Sequence, residues 1–329
     1  MEKVRVGIIG TGGIAQGHIQ RLLAHPAAEI TALCDTSSES LAHTVERYPQ
    51  LKGVATFQDY KELIRSGLVD AVNINTPHTA HFEQIMAALE AGLHVLTEKP
   101  MVCTVEHAHQ ILKQVEKSGK VLVVSYQRHY MSEFLYIRDQ IAAGRYGPVQ
   151  FVQAFQSQNW YRGTKGKWRQ DPALSGGGQL NDSGSHLVAV ILFMTNLPAE
   201  SVFGYIENFD SPVDINSALS LRFSGGALAN ISVVGNAPTW HEDITICCDQ
   251  GVFFLRNGQL EVCGPDGKRF TPTAEEMPKG SDPDTNFINA ILGKEPVGSP
   301  AIWGLRVMEL TEAAWKSAEE GRPIEVKHL

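Results

Sequence analysis

Residues 6–19, "VGIIGTGGIAQGHI", govern how the rest of the chain is read. An apolar run ends in Gly10-Thr11-Gly12-Gly13-Ile14-Ala15, which has the form G-x-G-x-x-A and leads into a helical pattern. The first glycine of such a turn makes the sharp bend, and the second lets backbone N–H groups approach a pyrophosphate. Ala15 permits close packing of helix on sheet. The phosphates then rest on the helix N-terminus. The pattern alone also fits an ordinary turn, but here a strand pattern precedes it and a helix pattern follows. Asp35 closes the next strand candidate, 20 residues beyond Ala15. A carboxylate there accepts from ribose hydroxyls and repels a 2′-phosphate, and Thr36–Ser40 contains neither Arg nor Lys. The expected ligand is NAD in preference to NADP, contacted by Gly10, Gly12, Gly13, Ile14 and Asp35.

The alternation continues through residue 125. Strand patterns at Val4–Ile9, Glu29–Cys34, Val54–Phe57, Ala71–Asn75, His94–Thr97 and Val121–Ser125 are separated by amphipathic helical stretches. That order predicts a doubly wound parallel sheet, a Rossmann domain over residues 1–125. Beyond "SYQRHY" one helix, about Phe134–Ala143, is followed by seven strand patterns between Val149 and Val262. Gly225-Gly226, Asn257-Gly258 and Asp266-Gly267 are hairpin signals, so residues 126–329 are expected to form an α+β domain with a large, mostly antiparallel sheet. Helix is expected to return from Asn286 to near Gly321.

Composition narrows the function classes. With 28 Lys and Arg against 36 Asp and Glu, the net charge of −8 leaves no basic surplus for nucleic acid. "HLVAVILFM" is too short to cross a bilayer, and "MEKVRVGIIG" reads as a first strand, not a signal peptide. The five cysteines include no C-x-x-C pair, which predicts reduced thiols, a cytoplasmic protein and no metal.

In a doubly wound sheet ligands gather beyond the carboxyl ends of the strands. Thr76-Pro77-His78 and Glu98-Lys99-Pro100 follow strand patterns there, and Thr76, Pro77, His78 and Glu98 join the expected cofactor contacts. Lys99 suits polarising a substrate oxygen or sharing its proton, although a surface ion pair with Glu98 is as natural a role. In "NDSGSHLVAV", Asp182 and His186 stand at helical i, i+4 spacing. The pair fits catalysis, half a metal site, or a helix start with a first-turn histidine. The preceding loop offers Trp168 and Arg169, an aromatic face for stacking and a guanidinium that grips hydroxyls, a carboxylate or a phosphate, although ordinary packing is as natural a role for such residues. Arg128, with Tyr126, follows the last Rossmann strand, and Trp240-His241-Glu242 is a further rim. The Gly176–Gly178 run reads as a backbone turn.

These pieces resemble the Gfo/Idh/MocA family of sugar and polyol oxidoreductases. "GIIGTGGIA", "TPHTAHFEQIMAALEAGLHVLTEKP", "YGPVQFVQ", "SGGGQLNDSGSH" and "SAEEGRPIEV" carry the likeness across nearly the whole chain. The resemblance implies catalytic roles for Lys99, Asp182 and His186. The histidine takes the hydroxyl proton, the lysine hydrogen-bonds that oxygen, and the aspartate positions the substrate. Arg128, Trp168 and Arg169 are the expected additional substrate contacts. Ala189 departs from a common family pattern, in which an aspartate stands three residues after the histidine.

The implied activity is hydride transfer between NAD and a secondary hydroxyl of a sugar, polyol or sugar derivative, in a homodimer or homotetramer. Two other readings share the cofactor. One is NAD-assisted glycoside cleavage through transient ring oxidation; the other is a non-enzymatic NAD-binding regulator.

Overall fold

The computed structural model describes residues 3–328. In chain order the first elements are β1 (Val4–Ile9), α1 (Gly13–Ala24), β2 (Ala28–Cys34), α2 (Ser38–Arg47), β3 (Ala55–Phe57) and α3 (Tyr60–Arg65). β4 (Ala71–Ile74), α4 (His81–Glu90), β5 (His94–Thr97), α5 (Val105–Ser118) and β6 (Leu122–Val124) follow. The next stretch holds α6 (Ser132–Ala142), β7 (Val149–Asn159), α7 (Trp160–Thr164), α8 (Pro172–Ser175), α9 (Gly184–Thr195), β8 (Ala199–Glu207) and β9 (Asn216–Phe223). After these come β10 (Leu228–Val234), β11 (Asn236–Cys248), β12 (Gly251–Arg256), β13 (Gln259–Cys263) and β14 (Arg269–Phe270). The chain closes with α10 (Pro283–Ile291), α11 (Ala301–Glu320) and β15 (Ile324–Glu325).

Two compact units form. The first holds the residues through Val102, Glu106–Gln127 and Ser281–Ile302; the second holds Cys103–Val105, Arg128–Gly280 and the chain from Trp303 onward. The division expected at 125/126 therefore misses one return. Residues 281–302, assigned by sequence to the second domain, belong with the first, where α10 packs on α1, β5 and β6.

In the first unit six parallel strands run in the order β3-β2-β1-β4-β5-β6. Helices on both faces explain the continuous apolar strands: Val6, Ile8, Val72, Ile74, Val95 and Leu96 are wholly buried. The order reverses between β1 and β4, where a doubly wound sheet opens its ligand crevice.

The second unit contains a nine-stranded sheet, β14-β13-β12-β11-β7-β10-β9-β8-β15. Every neighbouring pair is antiparallel except β7 and β10. Gly225 and Gly226 have φ of 85° and 93°, Asn257 and Gly258 have 48° and 81°, and Gly267 has 74°; the strands flanking each turn pair antiparallel, which makes all three expected hairpins real. Along β10, Ala229, Ile231 and Val233 are buried while Leu228, Asn230 and Ser232 face outward. The inward face is covered by α9, whose residues from Leu187 to Thr195 are all buried. Among the described residues no helix is long and apolar enough to cross a membrane, and the five cysteines are free thiols.

Candidate active site

The glycine turn of the first unit is built for an anion. Gly10 has φ of 83°, and a Cβ there would lie 2.8 Å from the Asn75 carbonyl oxygen, so β1 and β4 leave room for glycine alone. A Cβ at Gly12 or Gly13 would meet nothing within 4 Å, which leaves open space over the start of α1. No side chain caps that helix and no acid stands in its first turn. Its N–H groups and dipole are therefore available to phosphate. Ile14 is 46% exposed beside them.

Asp35 is braced against the same turn. Its Oδ2 accepts from Thr11 N–H (2.8 Å) and Thr11 Oγ1 (3.0 Å), and its Oδ1 accepts from Ser37 N–H (2.9 Å). A cavity of about 410 Å³ is lined by Thr11, Gly12, Gly13, Gln16, Ser37, Glu39, Ser40, His43 and Arg47. His43 and the cation Arg47 reach it from α2, beyond the short window in which the sequence shows neither Arg nor Lys. These groups fit a dinucleotide: a glycine cradle for the pyrophosphate and a carboxylate for the ribose.

Thr76, Pro77 and His78 follow β4, where Thr76 Oγ1 donates to Gln84 Oε1 (2.7 Å) and His78 is buried. His81, which is not among the expected site residues, spans two strand-end loops. Its Nε2 lies 2.9 Å from the Thr76 carbonyl and its Nδ1 2.8 Å from the Pro100 carbonyl. Complete burial holds its pKa below the usual imidazole range, so the neutral ring donates to one of those carbonyls.

Lys99 follows β5 and is half-buried, and its N–H donates to Glu98 Oε2 (3.1 Å). Glu98 Oε1 meets His18 Nε2 at 3.0 Å. The other ring nitrogen, Nδ1, lies 2.8 Å and 3.0 Å from the two oxygens of Asp284, and Arg21 Nε donates to Asp284 Oδ2 (2.6 Å). His18 is fully buried, and Asp284 and Glu98 nearly so. Desolvation opposes charge on His18, but the two carboxylates outweigh it and raise its pKa to about 9. The signal for His18 is its place on the apolar stripe of α1 with Ala15, Ile19 and Leu22. Asp284 carried no such signal.

In the second unit Asp182 stands just before α9 and His186 lies in that helix's first turn. Asp182 is buried and its Oδ2 takes two donors, the Trp160 indole N–H (2.7 Å) and Arg169 Nε (3.0 Å). The Arg169 guanidinium lies 4.4 Å over the Trp168 ring. Trp168, Arg169 and Asp182 thus converge, with Trp160 as an anchor that sequence reasoning passed over. Arg128 pairs with Glu242 (2.6 Å), and its Nη1 is buried without a hydrogen-bond partner. Burial is the largest influence on both, pulling the guanidinium down and the carboxyl up, and the pairing opposes each shift.

The Gly176–Gly178 run serves the backbone. A Cβ at Gly178 would lie 2.0 Å from the Asp214 carbonyl oxygen, and one at Gly177 would lie 2.6 Å from the Trp315 ring. Asp214, missed in the sequence, is the post on which this loop hangs. It accepts from Gly178 N–H (2.9 Å), Leu180 N–H (2.7 Å) and Trp315 Nε1 (3.0 Å). Ala189 is fully buried, and the neighbouring His129 ring stacks on Phe193 at 4.1 Å. Burial drives His129 down to about 3, so the ring beside Ala189 is neutral. Among the described residues no group of three or more His, Cys, Asp or Glu is placed to hold a metal ion.

Comparison with known proteins agrees with this arrangement. The model of the oxidoreductase family with an NAD-binding Rossmann fold, GFO/IDH/MocA, matches residues 4–126, and the GFO/IDH/MocA C-terminal domain matches residues 134–254. D-glucoside 3-dehydrogenase of Escherichia coli is 24% identical over 98% of this chain and 97% of its own. The 1-carboxy-3-chloro-3,4-dihydroxycyclohexa-1,5-diene dehydrogenase of Comamonas testosteroni is 27% identical over 71% of this chain, a match spanning 58% of that protein. Levoglucosan dehydrogenase, solved in complex with NADH, shares the fold at a TM-score of 0.90, with 19% identity and complete coverage of both chains. With the two family models matching its two halves in order, the protein belongs to the GFO/IDH/MocA oxidoreductase family, and its first unit is an NAD-binding Rossmann fold.

Proposed function

We propose that the protein is an NAD-dependent dehydrogenase acting on a secondary hydroxyl of a sugar, polyol or sugar derivative. The observation that carries this reading is the open start of α1 above Gly12 and Gly13, with Asp35 closed onto the same turn through Thr11. A relative active on a D-glucoside supports the substrate class.

Gly10, Gly12, Gly13 and Ile14 would hold the pyrophosphate side of the cofactor and Asp35 the ribose, with Thr76, Pro77, His78 and Glu98 nearer the nicotinamide. The chemistry a bound NAD supplies is acceptance of a hydride from carbon. His186 takes the hydroxyl proton, a general-base task for which an imidazole is suited. The Lys99 ammonium donates to the same oxygen and stabilises the charge that develops on it. Asp182 accepts from a neighbouring hydroxyl, its carboxylate fixed by Trp160 and Arg169. Arg128, Trp168 and Arg169 complete the grip on the sugar.

In the same reading the enzyme works in the cytoplasm as a homodimer or homotetramer joined through the outward face of the nine-stranded sheet. Tyr205 and Leu228, 71% and 41% exposed on that face, support this assembly.

The test is a panel of sugars, polyols and nucleotide sugars with NAD and NADP in parallel, read by absorbance of the reduced cofactor. NADH should form with at least one substrate, and Lys99→Ala and His186→Ala should each lower turnover by about a hundredfold or more. Undiminished turnover in both variants overturns the reading.

A further inference from the structure

The buried charge cluster of the first unit has a task that none of the roles above covers. We propose that His18 is a positioning residue for Lys99, fixing it through Glu98 against α1 and α10. The inference rests on the reading of Lys99 as the group that hydrogen-bonds the reacting oxygen.

The geometry carries it. A neutral imidazole has one N–H, yet His18 faces a carboxylate at each nitrogen: Glu98 Oε1 at 3.0 Å and Asp284 at 2.8 Å. Both bonds form only when both nitrogens carry protons. The Arg21 Nη2 contact at 3.2 Å from Nδ1 would suit an accepting Nδ1, but two carboxylate oxygens lie closer to that nitrogen. Protonated, His18 with Arg21 balances Asp284 and Glu98, so the nearly dry cluster is neutral as a whole.

Glu98 is the link outward. One of its oxygens is spent on His18 and the other accepts the Lys99 N–H at 3.1 Å, which aligns the backbone from which the lysine side chain departs. His81 Nδ1 lies 2.8 Å from the carbonyl of the next residue, Pro100. The charged and titratable groups bearing on His18 are Glu98 after β5, Asp284 on α10 and Arg21 on α1. Asp282 lies behind Arg21 at 3.5 Å, and Tyr126 and Lys99 lie beside Glu98. Neutralising His18 would leave two buried carboxylates with one fewer proton between them, and Glu98 without one of the donors that fix its orientation.

Two measurements judge the proposal. Nitrogen-15 NMR of histidine-labelled wild type should show both His18 ring nitrogens protonated at neutral pH; a neutral ring overturns it. Kinetics with NAD and a substrate found for wild type should then compare His18→Gln, Lys99→Ala and the double variant. His18→Gln should lower kcat by roughly 10- to 100-fold, because displacing a catalytic group slightly is enough to do so. NADH affinity, read by fluorescence, should hold, and the change should cost nothing further once Lys99 is alanine. Equal losses in both backgrounds, or wild-type kcat in His18→Gln, overturn the positioning role while leaving Lys99 catalytic. Undiminished turnover by Lys99→Ala removes the reading beneath it, and the proposal falls with it. If His18→Gln does not fold, Glu98→Gln should show the same kcat loss and the same dependence on Lys99, and its failure to do so is equally decisive.

Discussion

The Trp160 indole N–H and the Asp182 carboxylate meet at 2.7 Å, both side chains almost wholly buried. A hydrogen bond to a charged group out of water contributes about 1.5–3 kcal/mol, and it fixes which way the carboxylate faces. Trp160→Phe keeps the ring and removes the donor, while Arg169 remains on the same oxygen. The expected outcome is a loss of about 2 kcal/mol in stability by chemical denaturation. Substrate KM should rise, with NADH affinity unchanged. Unaltered KM would separate Trp160 from substrate positioning.

Asp35 should set the choice of cofactor. Replacing it with alanine removes the charge that repels a 2′-phosphate and leaves Ser37, Ser40, His43 and Arg47 around the cavity. Wild type should prefer NAD, and Asp35→Ala should shift the ratio of kcat/KM for NAD over NADP by about tenfold or more toward NADP, as expected when one charged contact is lost. A wild type that prefers NADP contradicts the role given to Asp35.

Stability should fall on the alkaline side because of His18. Its folded pKa, about 9, stands above the ordinary 6.5, so its contribution is complete below about pH 6.5 and disappears as pH rises through about 9. The difference corresponds to on the order of 3 kcal/mol. Urea midpoints measured from pH 6 to 10 should decline over that window, and His18→Gln should flatten the decline. The same slope in wild type and variant would assign the effect to other groups.

Gly178→Ala should be severe. The added Cβ would fall 2.0 Å from a backbone oxygen of Asp214, an atom that cannot swing aside as a flexible side chain could. A loss of roughly 3 kcal/mol or more is expected from such overpacking, read as a lowered melting temperature. Gly53→Ala is the contrast: it has open space around it, and its φ of 88° is the sole source of strain. Its cost should be smaller, about 1 kcal/mol.

Much of the doubly wound half is visible as pattern, because a strand buried on both faces is a short apolar run and the glycine turn has a local steric purpose. β1 and β5 match their predicted bounds residue for residue. The longer strands of the second unit do not. β7 runs on to Asn159 past the buried polar Gln156 and Ser157, and β11 starts at Asn236, before a Pro and a string of polar residues. Their extra length comes from pairing with each other, Asn236 opposite Asn159 and His241 opposite Ser157. That is a property of two distant segments, and neither displays it alone.

The same distinction holds for the site. The residue types at Gly10–Gly13, Asp35, Lys99, Asp182 and His186 announce themselves because their chemistry is unusual at those local positions. The sequence by itself thus determined the fold class, the dinucleotide turn and the candidate catalytic groups. Tertiary structure decided what braces them: Asp284 reaching His18 across 266 residues, Trp160 and Arg169 closing on Asp182, and Asp214 holding the Gly178 loop. Such braces are ordinary acids, aromatics and histidines until folding removes water from around them. Burial makes an unpaired charge costly, so the partner that answers it becomes indispensable, and distance along the chain carries no record of which partner that is.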